Sequence, residues 1–347
     1  MEEAGNTETS KHANGYPKGM HSFQELSVLF EKQFDIRHFP PEPSTLYGPS
    51  QYILQLRGKR IRPVLCLMAN ELVSELSADA YMTANAIELF HNFTLIHDDI
   101  MDKAPLRRGM ETVHHKYGES TALLAGDVML VAAYEYLNKI KPRYLQKILQ
   151  LFNRTAQQVC EGQQLDMDFA KVDPSPGNKS IVTFEAYVEM IELKTSVLLA
   201  ASLQIGAILG GAGGGNQQNL YAFGKYLGMA FQVQDDYLDA FGDPEKFGKQ
   251  HGGDILANKK TFLMIHALEV ASPQQLMQLE GALNLSGSDK IQAITTIYKE
   301  CNVDAWAKEL KEKYYQQALD QLQEVAILSA RKKPMIHLAA YLMNREY

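Results

Sequence analysis

The sequence predicts an all-α fold, a single large helical bundle of about ten helices. Over long stretches the apolar residues recur at intervals of three and four, as in Leu220, Phe223, Leu227 and Phe231, which is the period of one helix face. The valine-rich alternation that is typical of strands is missing. Short loops are predicted where proline and glycine cluster, near residues 39–49, 173–177, 210–215, 242–253 and 285–287.

The sequence favours a single domain. A length of 347 residues often divides into two domains, but no linker long enough to separate two domains is evident. We therefore predict a single all-α domain over residues 21–347. It follows residues 1–20, a polar and charged segment predicted to be a disordered tail without the apolar core of a signal peptide.

The most apolar stretch, Val197 to Gly215, is predicted to be a buried core helix that ends in a glycine loop. It contains Ser202 and Gln204, and the residues from Gly210 onward form a poor helix. These features disfavour a membrane span.

The composition is typical of a soluble globular chain, with 46% hydrophobic and 22% charged residues. The net charge of −7 argues against nucleic acid as the main partner. The three cysteines, Cys66, Cys160 and Cys301, lie far apart without a CxxC motif, which fits a reducing compartment. We therefore expect a cytoplasmic protein.

Two apolar helices end in the same acidic pattern, DDIMD and DDYLD. Residues i and i+4 share a helix face, so Asp98 and Asp102 project together, as do Asp235 and Asp239. Like charges at that spacing destabilise a helix. A divalent cation compensates for them, and magnesium is typically held by one or two carboxylates plus substrate phosphates. We expect the two clusters to face each other across an apolar pocket.

Basic residues also occur in clusters that suit a diphosphate ligand. Arginine binds phosphate oxygens in a bidentate manner, and lysine acts as a point charge. The clusters are Gly58-Lys59-Arg60-Ile61-Arg62-Pro63, Arg107-Arg108-Gly109, Lys194-Thr195, Lys249 and Asn258-Lys259-Lys260.

These motifs resemble the trans-isoprenyl diphosphate synthase (polyprenyl synthetase) family, which includes farnesyl and geranylgeranyl diphosphate synthases. The match runs from about Gly58 to Lys260 in the expected order. It comprises GKRIRP, His91 seven residues before DDIMD, LRRG, GQQLD ending at Asp166, KT at 194–195, FQVQDDYLD and GDILANKKT.

The resemblance implies a role for each matching residue. Those implied to bind the diphosphate of isopentenyl diphosphate are Lys59, Arg62, His91 and Arg108. Those implied to bind the allylic diphosphate are Arg107, Lys194, Thr195, Gln232, Lys249 and Lys259. The implied magnesium ligands are Asp98, Asp102 and Asp235, supported by Asp239 and Asp166. The residues on which catalysis is expected to depend most are Asp98, Asp102, Arg107, Lys194, Asp235 and Lys249.

The resemblance further implies an isoprenoid synthase fold around a central apolar cavity, three bound Mg²⁺ ions and a homodimer. Magnesium and the cations neutralise the departing allylic diphosphate. The resulting carbocation is attacked by the double bond of isopentenyl diphosphate, and proton loss leaves a chain five carbons longer. Such a carbocation needs a site from which water is excluded. His91 lies two turns before Asp98 and about 20° away around the helix, so both can reach one cavity.

The length of the product is expected to depend on Phe93 and Thr94, just before the first aspartate cluster. These residues lie roughly 6–8 Å below Asp98 along the helix. A bulky residue at Phe93 resembles the short-chain members, whereas Thr94 is not the second aromatic residue of many farnesyl synthases. We therefore expect geranylgeranyl diphosphate as the product, with farnesyl diphosphate next.

Two other functions are weighed against the synthase. A terpene cyclase needs no site for isopentenyl diphosphate and usually has Asn, Ser or Thr with Glu in its second metal motif. A non-catalytic helical subunit usually lacks one aspartate cluster. Both clusters are intact here. His97 is expected to pack or to cap a helix, and His114 and His115 are expected to be structural or exposed.

Overall fold

A computed structural model of the chain describes residues 16–17, 19–56, 58–172, 182–242 and 252–344. The predicted all-α class is confirmed, since these residues form helices and their connections apart from one two-stranded hairpin. The predicted site residue Lys249 lies outside the described residues. So do residues 1–15 and 18 of the predicted tail, whereas Tyr16 and Met20 are buried.

The elements follow in chain order and are separated mostly by short connections. The first nine are α1 Phe23–Phe34, α2 Ser44–Gln55, α3 Ile61–Val73, α4 Ala78–Met101, β1 Leu106–Arg107, β2 Met110–Glu111, α5 Val113–Tyr117, α6 Glu119–Leu137 and α7 Pro142–Ala170. The others are α8 Phe184–Ile191, a π-helical segment Glu192–Ser196, α9 Val197–Leu209, α10 Gly214–Phe241, α11 Gly253–Leu256, α12 Phe262–Val270, α13 Pro273–Leu283, α14 Gly287–Glu300, α15 Val303–Gln323 and α16 Ser329–Met343. Short helices such as α5 and α11 leave no apolar period in the sequence, so the helices outnumber the ten expected.

The chain forms two compact units. The first comprises Met1–Asn153, Ala201–Tyr221 and Val325–Met335, and the second comprises Arg154–Ala200, Ala222–Glu324 and Ile336–Tyr347. The divisions fall inside α7, α9, α10 and α16, so each of these helices contributes residues to both units.

The core of the first unit is built on α4, which packs against α3 and α6. Ser77 caps the start of α4 by accepting a hydrogen bond from the Ala80 N–H, which satisfies one of the free donors there. Two glycines permit close helix contacts. A Cβ on Gly206 of α9 would lie 2.1 Å from the Cys66 carbonyl oxygen of α3, and one on Gly126 of α6 would lie 2.3 Å from Nε2 of His97.

The second unit has its own apolar core, in which α12 packs against α8, α14 and α15. The imidazole of His266 on α12 stacks on the indole of Trp306 on α15, with ring centroids 3.8 Å apart. A capping box at Ser272 and Gln275 starts α13, with Pro273 at its first position.

One continuous helical stretch, Phe184–Leu209, is long and apolar enough to cross a membrane, and most of it is buried within the protein. Its last segment, α9, coincides with the start of the predicted core helix. The helix stops at Leu209, and Gly211 then takes a positive φ of 82°, a conformation that glycine adopts without steric cost.

Candidate active site

The first aspartate cluster lies at the C-terminal end of α4. Asp98 is in the last turn, and the backbone N–H of Asp102 donates to the Asp98 carbonyl at 2.9 Å. The helix dipole is negative at this end, and α4 carries no basic residue in its last turn. Two carboxylates at such a position are unfavourable unless cations reach them, and oxygen ligands of this kind suit magnesium.

A cation from the following hairpin reaches this cluster. Arg107, on β1, donates through Nε to both carboxylate oxygens of Asp99 at 2.9 Å, and its Nη2 lies 3.5 Å from Asp98 Oδ2. Asp99 is only 1% exposed. Burial raises the pKa of Asp99, and the hydrogen bond and charge of Arg107 oppose that rise. Asp99 is therefore a support for Arg107, a role that the motif alone did not reveal.

The hairpin turn itself is formed by the LRRG motif. Strands β1 and β2 are antiparallel, with Arg107 paired with Met110. The two turn residues, Arg108 and Gly109, have positive φ values of 54° and 77°. Positive φ at both central positions is typical of a type I′ turn, whose twist matches that of the strands. Arg107 and Arg108, although adjacent at this turn, contact different partners.

Arg108 extends to the basic segment before α3. Its Nη1 donates to the Leu56 carbonyl at 2.7 Å. A Cβ on Gly58 would lie 2.7 Å from the same nitrogen, so the glycine of GKRIRP makes room for the guanidinium group. Lys59 is exposed.

Arg62 and His91, both predicted to bind the same diphosphate, are in contact. Arg62 lies in α3 and its Nη1 is 3.2 Å from Nε2 of His91 in α4. Burial, followed by the charges of Arg62, Arg108 and Arg107, holds the pKa of His91 well below its usual value. Burial also lowers the pKa of Arg62 to about 10, with Glu88 opposing the shift. Because a guanidinium group can only donate, Nε2 of His91 is the acceptor in this contact, and the lowered pKa favours the neutral ring with its proton on Nδ1.

Glu88, a residue of α4, provides a negative charge to this group of cations. It is 2% exposed, forms an ion pair with Arg60 and accepts from the side chain of Asn92 at 2.9 Å. Arg60 takes a left-handed conformation at the start of α3 and also donates to the Leu54 carbonyl. Buried charges require such partners. Sequence reasoning missed Glu88, which shares its helix face with the polar residues Asn85, His91 and Asn92.

In the second unit, Lys194 lies in the π-helical segment between α8 and α9. Its Nζ is 2.6 Å from Oδ2 of Asp166 on α7. A Cβ on Gly162 would lie 2.3 Å from the Lys194 backbone nitrogen, so the glycine of GQQLD lets α7 approach the π-helical segment. π-Helical turns inside helices are frequent at functional sites, and this one carries the KT motif.

Thr195 and the second aspartate cluster are joined by hydrogen bonds. The hydroxyl of Thr195 donates to Oε1 of Gln232 at 3.3 Å, and Nε2 of Gln232 donates to Oδ1 of Asp236 at 2.8 Å. The other oxygen of Asp236 accepts from the hydroxyl of Tyr187. Burial, with the charge of Asp254, raises the pKa of Asp236 to about 7. Tyr187 and Asp236 were not singled out by the motifs.

Asp239 supports the segment that follows the second cluster. Its Oδ2 accepts from the backbone N–H of Asp254 at 3.0 Å, and its carbonyl accepts from the Gly252 N–H. Lys259 lies 3.6 Å from Oδ1 of Asp254. Asp235 is partly exposed. The structure therefore gives Asp239 a structural contact in addition to its predicted metal role.

Among the described residues, no group of three His, Cys, Asp or Glu side chains converges as a complete metal site. The carboxylates of Asp98 and Asp102 nevertheless offer hard oxygen donors at an electronegative helix end. Magnesium commonly takes few protein ligands and fills its remaining positions with phosphate oxygens and water. These residues fit magnesium that arrives with a diphosphate.

The two residues expected to limit product length are both partly exposed. The ring of Phe93 lies 4.7 Å from that of His97 and 5.7 Å from that of Phe90, measured between centroids. Thr94 donates to the His91 carbonyl at 2.8 Å. His97 in turn binds the Leu123 carbonyl at 3.1 Å. His97 thus makes the packing contacts expected of it, and it fixes one side of Phe93.

The chain is similar to known isoprenyl diphosphate synthases. A geranylgeranyl diphosphate synthase of Methanosarcina mazei is 37% identical over 307 residues, which are 88% of this chain and 91% of the relative. A geranylfarnesyl diphosphate synthase of Natronomonas pharaonis is 35% identical, over 88% and 92% of the two chains. A solved structure of a geranylgeranyl pyrophosphate synthase has a TM-score of 0.87 and 40% identity, and covers 94% of this chain and all of the other.

The helical fold, the aspartate-rich helix ends and the similarity to these synthases identify a short-chain trans-prenyltransferase. A family model described as polyprenyl synthetase matches residues 43–301, so this chain belongs to the polyprenyl synthetase family. Neither the terpene cyclase nor the non-catalytic subunit is supported by these relatives.

Proposed function

We propose that this enzyme condenses isopentenyl diphosphate head-to-tail with an allylic diphosphate and forms geranylgeranyl diphosphate. One observation carries the proposal. Arg62 and His91 form a partly buried pair of side chains that suits a phosphate ligand, and Asp98 follows His91 by two turns on almost the same face of α4. A single helix thus presents both a diphosphate-binding group and a metal-binding group.

In this proposal, Lys59, Arg62, His91 and Arg108 hold the diphosphate of isopentenyl diphosphate. His91 donates from Nδ1. Arg62 contributes a guanidinium group whose orientation is fixed by its contact with His91. The supporting contacts are those of Arg108 with Leu56 and of Arg62 with His91. A neutral His91 adds no further positive charge beside these arginine side chains, whose charged form burial already destabilises.

The allylic diphosphate is assigned to the remaining cations and hydrogen-bond donors. Arg107 is oriented by Asp99, and Lys194 by Asp166. Thr195, Gln232, Lys249 and Lys259 complete the proposed set. As the carbon–oxygen bond breaks, these groups stabilise the negative charge that develops on the departing diphosphate.

Asp98, Asp102, Asp235 and Asp239 are proposed to hold three Mg²⁺ ions against that diphosphate. Bound magnesium would supply further charge neutralisation of the leaving group. The apolar walls of the site exclude water from the allylic cation, and the double bond of isopentenyl diphosphate captures it. A proton then leaves the adjacent carbon, and the released diphosphate is the proposed base.

The product assignment rests on Phe93 and on the relative from Methanosarcina mazei, whose name is geranylgeranyl diphosphate synthase. A large ring at Phe93, held by His97 and Phe90, is proposed to stop the growing chain at twenty carbons. Thr94, which is smaller than an aromatic residue, leaves room for more than fifteen.

The enzyme is further proposed to be a cytoplasmic homodimer. Support comes from α6, where Leu123, Leu124 and Val131 are 49%, 57% and 57% exposed. Such residues on one helix are typical of an interface between subunits. Light scattering on the purified chain tests this, and a monomeric mass at micromolar concentration would contradict it.

The reaction is tested by incubating the purified chain with magnesium, isopentenyl diphosphate and primers of five, ten, fifteen or twenty carbons. We expect diphosphate release that requires isopentenyl diphosphate and a twenty-carbon end product by chromatography. Diphosphate release from the primer alone would instead indicate a cyclase, and no release with any primer would contradict a catalytic role.

A further inference from the structure

We propose that Tyr187 is a positioning residue for the allylic diphosphate, acting through Asp236 and Gln232. The inference rests on the proposed function, in which Gln232 and Thr195 bind that diphosphate. Tyr187 lies in α8, 2% exposed, and a side chain so deeply buried is not a substrate ligand itself. Its hydroxyl group is instead directed at the middle carboxylate of the second aspartate cluster.

The contacts form one continuous chain of hydrogen bonds. The Tyr187 hydroxyl donates to Oδ2 of Asp236, and Oδ1 of Asp236 accepts from Nε2 of Gln232 at 2.8 Å. Gln232 Oε1 then accepts from the Thr195 hydroxyl at 3.3 Å. Each member fixes the orientation of the next, so the amide of Gln232 has a defined direction only because Asp236 receives its N–H.

Asp236 is in turn fixed from its buried side. It is 4% exposed, and a buried carboxyl group needs hydrogen bonds on its oxygens. Tyr187 supplies one of them from a ring that is itself packed, 6.1 Å from the ring of Phe262 on α12. The phenol is thus a rigid donor attached to the core of the second unit.

On α10, the residues that contact Tyr187 and Thr195 lie beside the proposed metal ligands. Asp236 and Gln232 are four residues apart and share one side of the helix, where they meet Tyr187 and Thr195. Asp235 and Asp239, also four apart, project on average about 60° away from Asp236 and Gln232, and Asp239 lies within about 20° of the direction of Gln232. Tyr187 therefore contacts α10 on a side next to the proposed metal ligands Asp235 and Asp239. This contact fixes the rotation of the helix end.

Removal of the hydroxyl group should loosen the allylic site without altering the binding of isopentenyl diphosphate. In Tyr187→Phe we expect kcat/KM for the allylic substrate to fall about tenfold, since misplacement of ligands by small distances costs factors of this order. The KM for isopentenyl diphosphate should stay within about twofold of the wild-type value.

The matched control is Tyr136→Phe. Tyr136 is also buried, at 7% exposure, and its hydroxyl contacts Nδ1 of His38 at 2.8 Å. This variant loses the same kind of hydrogen bond without touching a proposed ligand, so it should lose thermal stability but keep the kinetic constants. If Tyr187→Phe behaves like Tyr136→Phe, Tyr187 is only a structural residue and the proposal is overturned.

A double-mutant cycle tests the route through Asp236. In an Asp236→Ala background, Tyr187→Phe should cause little further loss of kcat/KM, whereas two independent effects would multiply and contradict the proposal. Asp236→Asn offers a second variant, because its amide has only one accepting atom. It should likewise lower kcat/KM for the allylic substrate and leave the KM for isopentenyl diphosphate unchanged. An inactive wild-type chain would refute the proposed function, whereas an active one with unchanged variants would refute this inference alone.

Discussion

Two buried contacts hold the arginine side chains that follow the first aspartate cluster. Asp99 receives two hydrogen bonds from Arg107, and the Leu56 carbonyl receives one from Arg108. Both guanidinium groups are thus oriented before any ligand binds. Preorganised charges cost no rearrangement when negative charge develops on a leaving group. We therefore expect Asp99 to support catalysis by orienting Arg107.

Replacement of Asp99 tests this role. Asp99→Asn keeps the contact of Arg107 with Asp98 but removes its buried partner, and the loss of one partner of a buried ion pair costs about 3 kcal/mol or more. We expect kcat/KM for the allylic substrate to fall at least about tenfold. The control is Asp320→Asn, an exposed carboxylate on α15. Equal steady-state kinetics for both variants would exclude a role of Asp99 in orienting Arg107.

His91 should make folding stability sensitive to acid. Its pKa is depressed in the folded chain, so the unfolded chain takes up the proton more readily. The stability due to the neutral ring is present above about pH 6.5, the ordinary histidine value, and is lost as the pH falls below it.

The variant His91→Gln should reduce this acid sensitivity, because glutamine can still accept from Arg62 but does not titrate. The measurement is the drop in melting temperature between about pH 7.5 and about pH 5.5, a range in which histidine changes charge. We expect a smaller drop than in the wild type. An identical drop in both proteins would show that His91 is not held neutral by the fold.

At the scale of elements, glycines decide how closely helices approach the site. Gly162 of α7 lies against the backbone of the π-helical segment, where an added Cβ would be 2.3 Å from the Lys194 nitrogen. Gly228 of α10 faces Ser196 of the same segment, with a Cβ distance of 2.8 Å to its Cα. Backbone atoms cannot yield as flexible side chains do, so these contacts fix where Lys194 and Thr195 lie.

Gly162→Ala should displace the π-helical segment. We expect a loss of about 1–3 kcal/mol in unfolding free energy from overpacking, together with a lower activity because Lys194 moves. The control is Gly281→Ala in α13, where the described residues place no heavy atom within 4 Å of the new Cβ. That variant should gain up to about 1 kcal/mol. Equal stability and activity in the two variants would contradict the close approach.

Phe93→Ala tests the proposed limit on chain length. Removal of the ring leaves a space beside His97 and Phe90, and the growing chain should extend into it. We expect products longer than those of the wild type, identified by chromatography with a fifteen-carbon primer. His97→Phe serves as a control that keeps an aromatic ring beside Phe93. An unchanged product distribution in Phe93→Ala would remove Phe93 from this role.

Helical periodicity and residue spacing predicted much of the site. The i,i+4 spacing placed Asp98 with Asp102, and the seven-residue spacing placed His91 on nearly the same face. Both follow from the geometry of a regular helix. The contact of Arg62 with His91 agrees with the shared ligand implied for them.

Other features depend on tertiary contacts that no local pattern encodes. The role of Asp99 depends on its buried contact with Arg107. That of Asp239 depends on a hydrogen bond from the backbone N–H of Asp254, which lies in a later segment. The π-helical turn at Lys194 needs Gly162 on a distant helix. The hairpin at Arg108 and Gly109 has only two-residue strands, too short for an alternating pattern.

At the scale of the whole molecule, each of the two units carries residues of the motifs that resemble the polyprenyl synthetase family. The first unit carries Asp98, Asp102 and the Arg62–His91 pair, and the second carries Lys194 and Asp235. The central claim is the proposed role of both aspartate clusters as ligands of magnesium that accompanies a diphosphate. This claim explains why two helices keep carboxylates that disfavour each other in isolation.

The most direct test is a crystal structure of the enzyme with magnesium and an allylic diphosphate whose bridging oxygen is replaced by sulfur, so that it cannot ionise readily. The account predicts metal ions that contact the same diphosphate and are bound by Asp98 and Asp102 as well as by Asp235. A diphosphate bound by one aspartate cluster alone, with the other cluster facing solvent and free of metal, would contradict it.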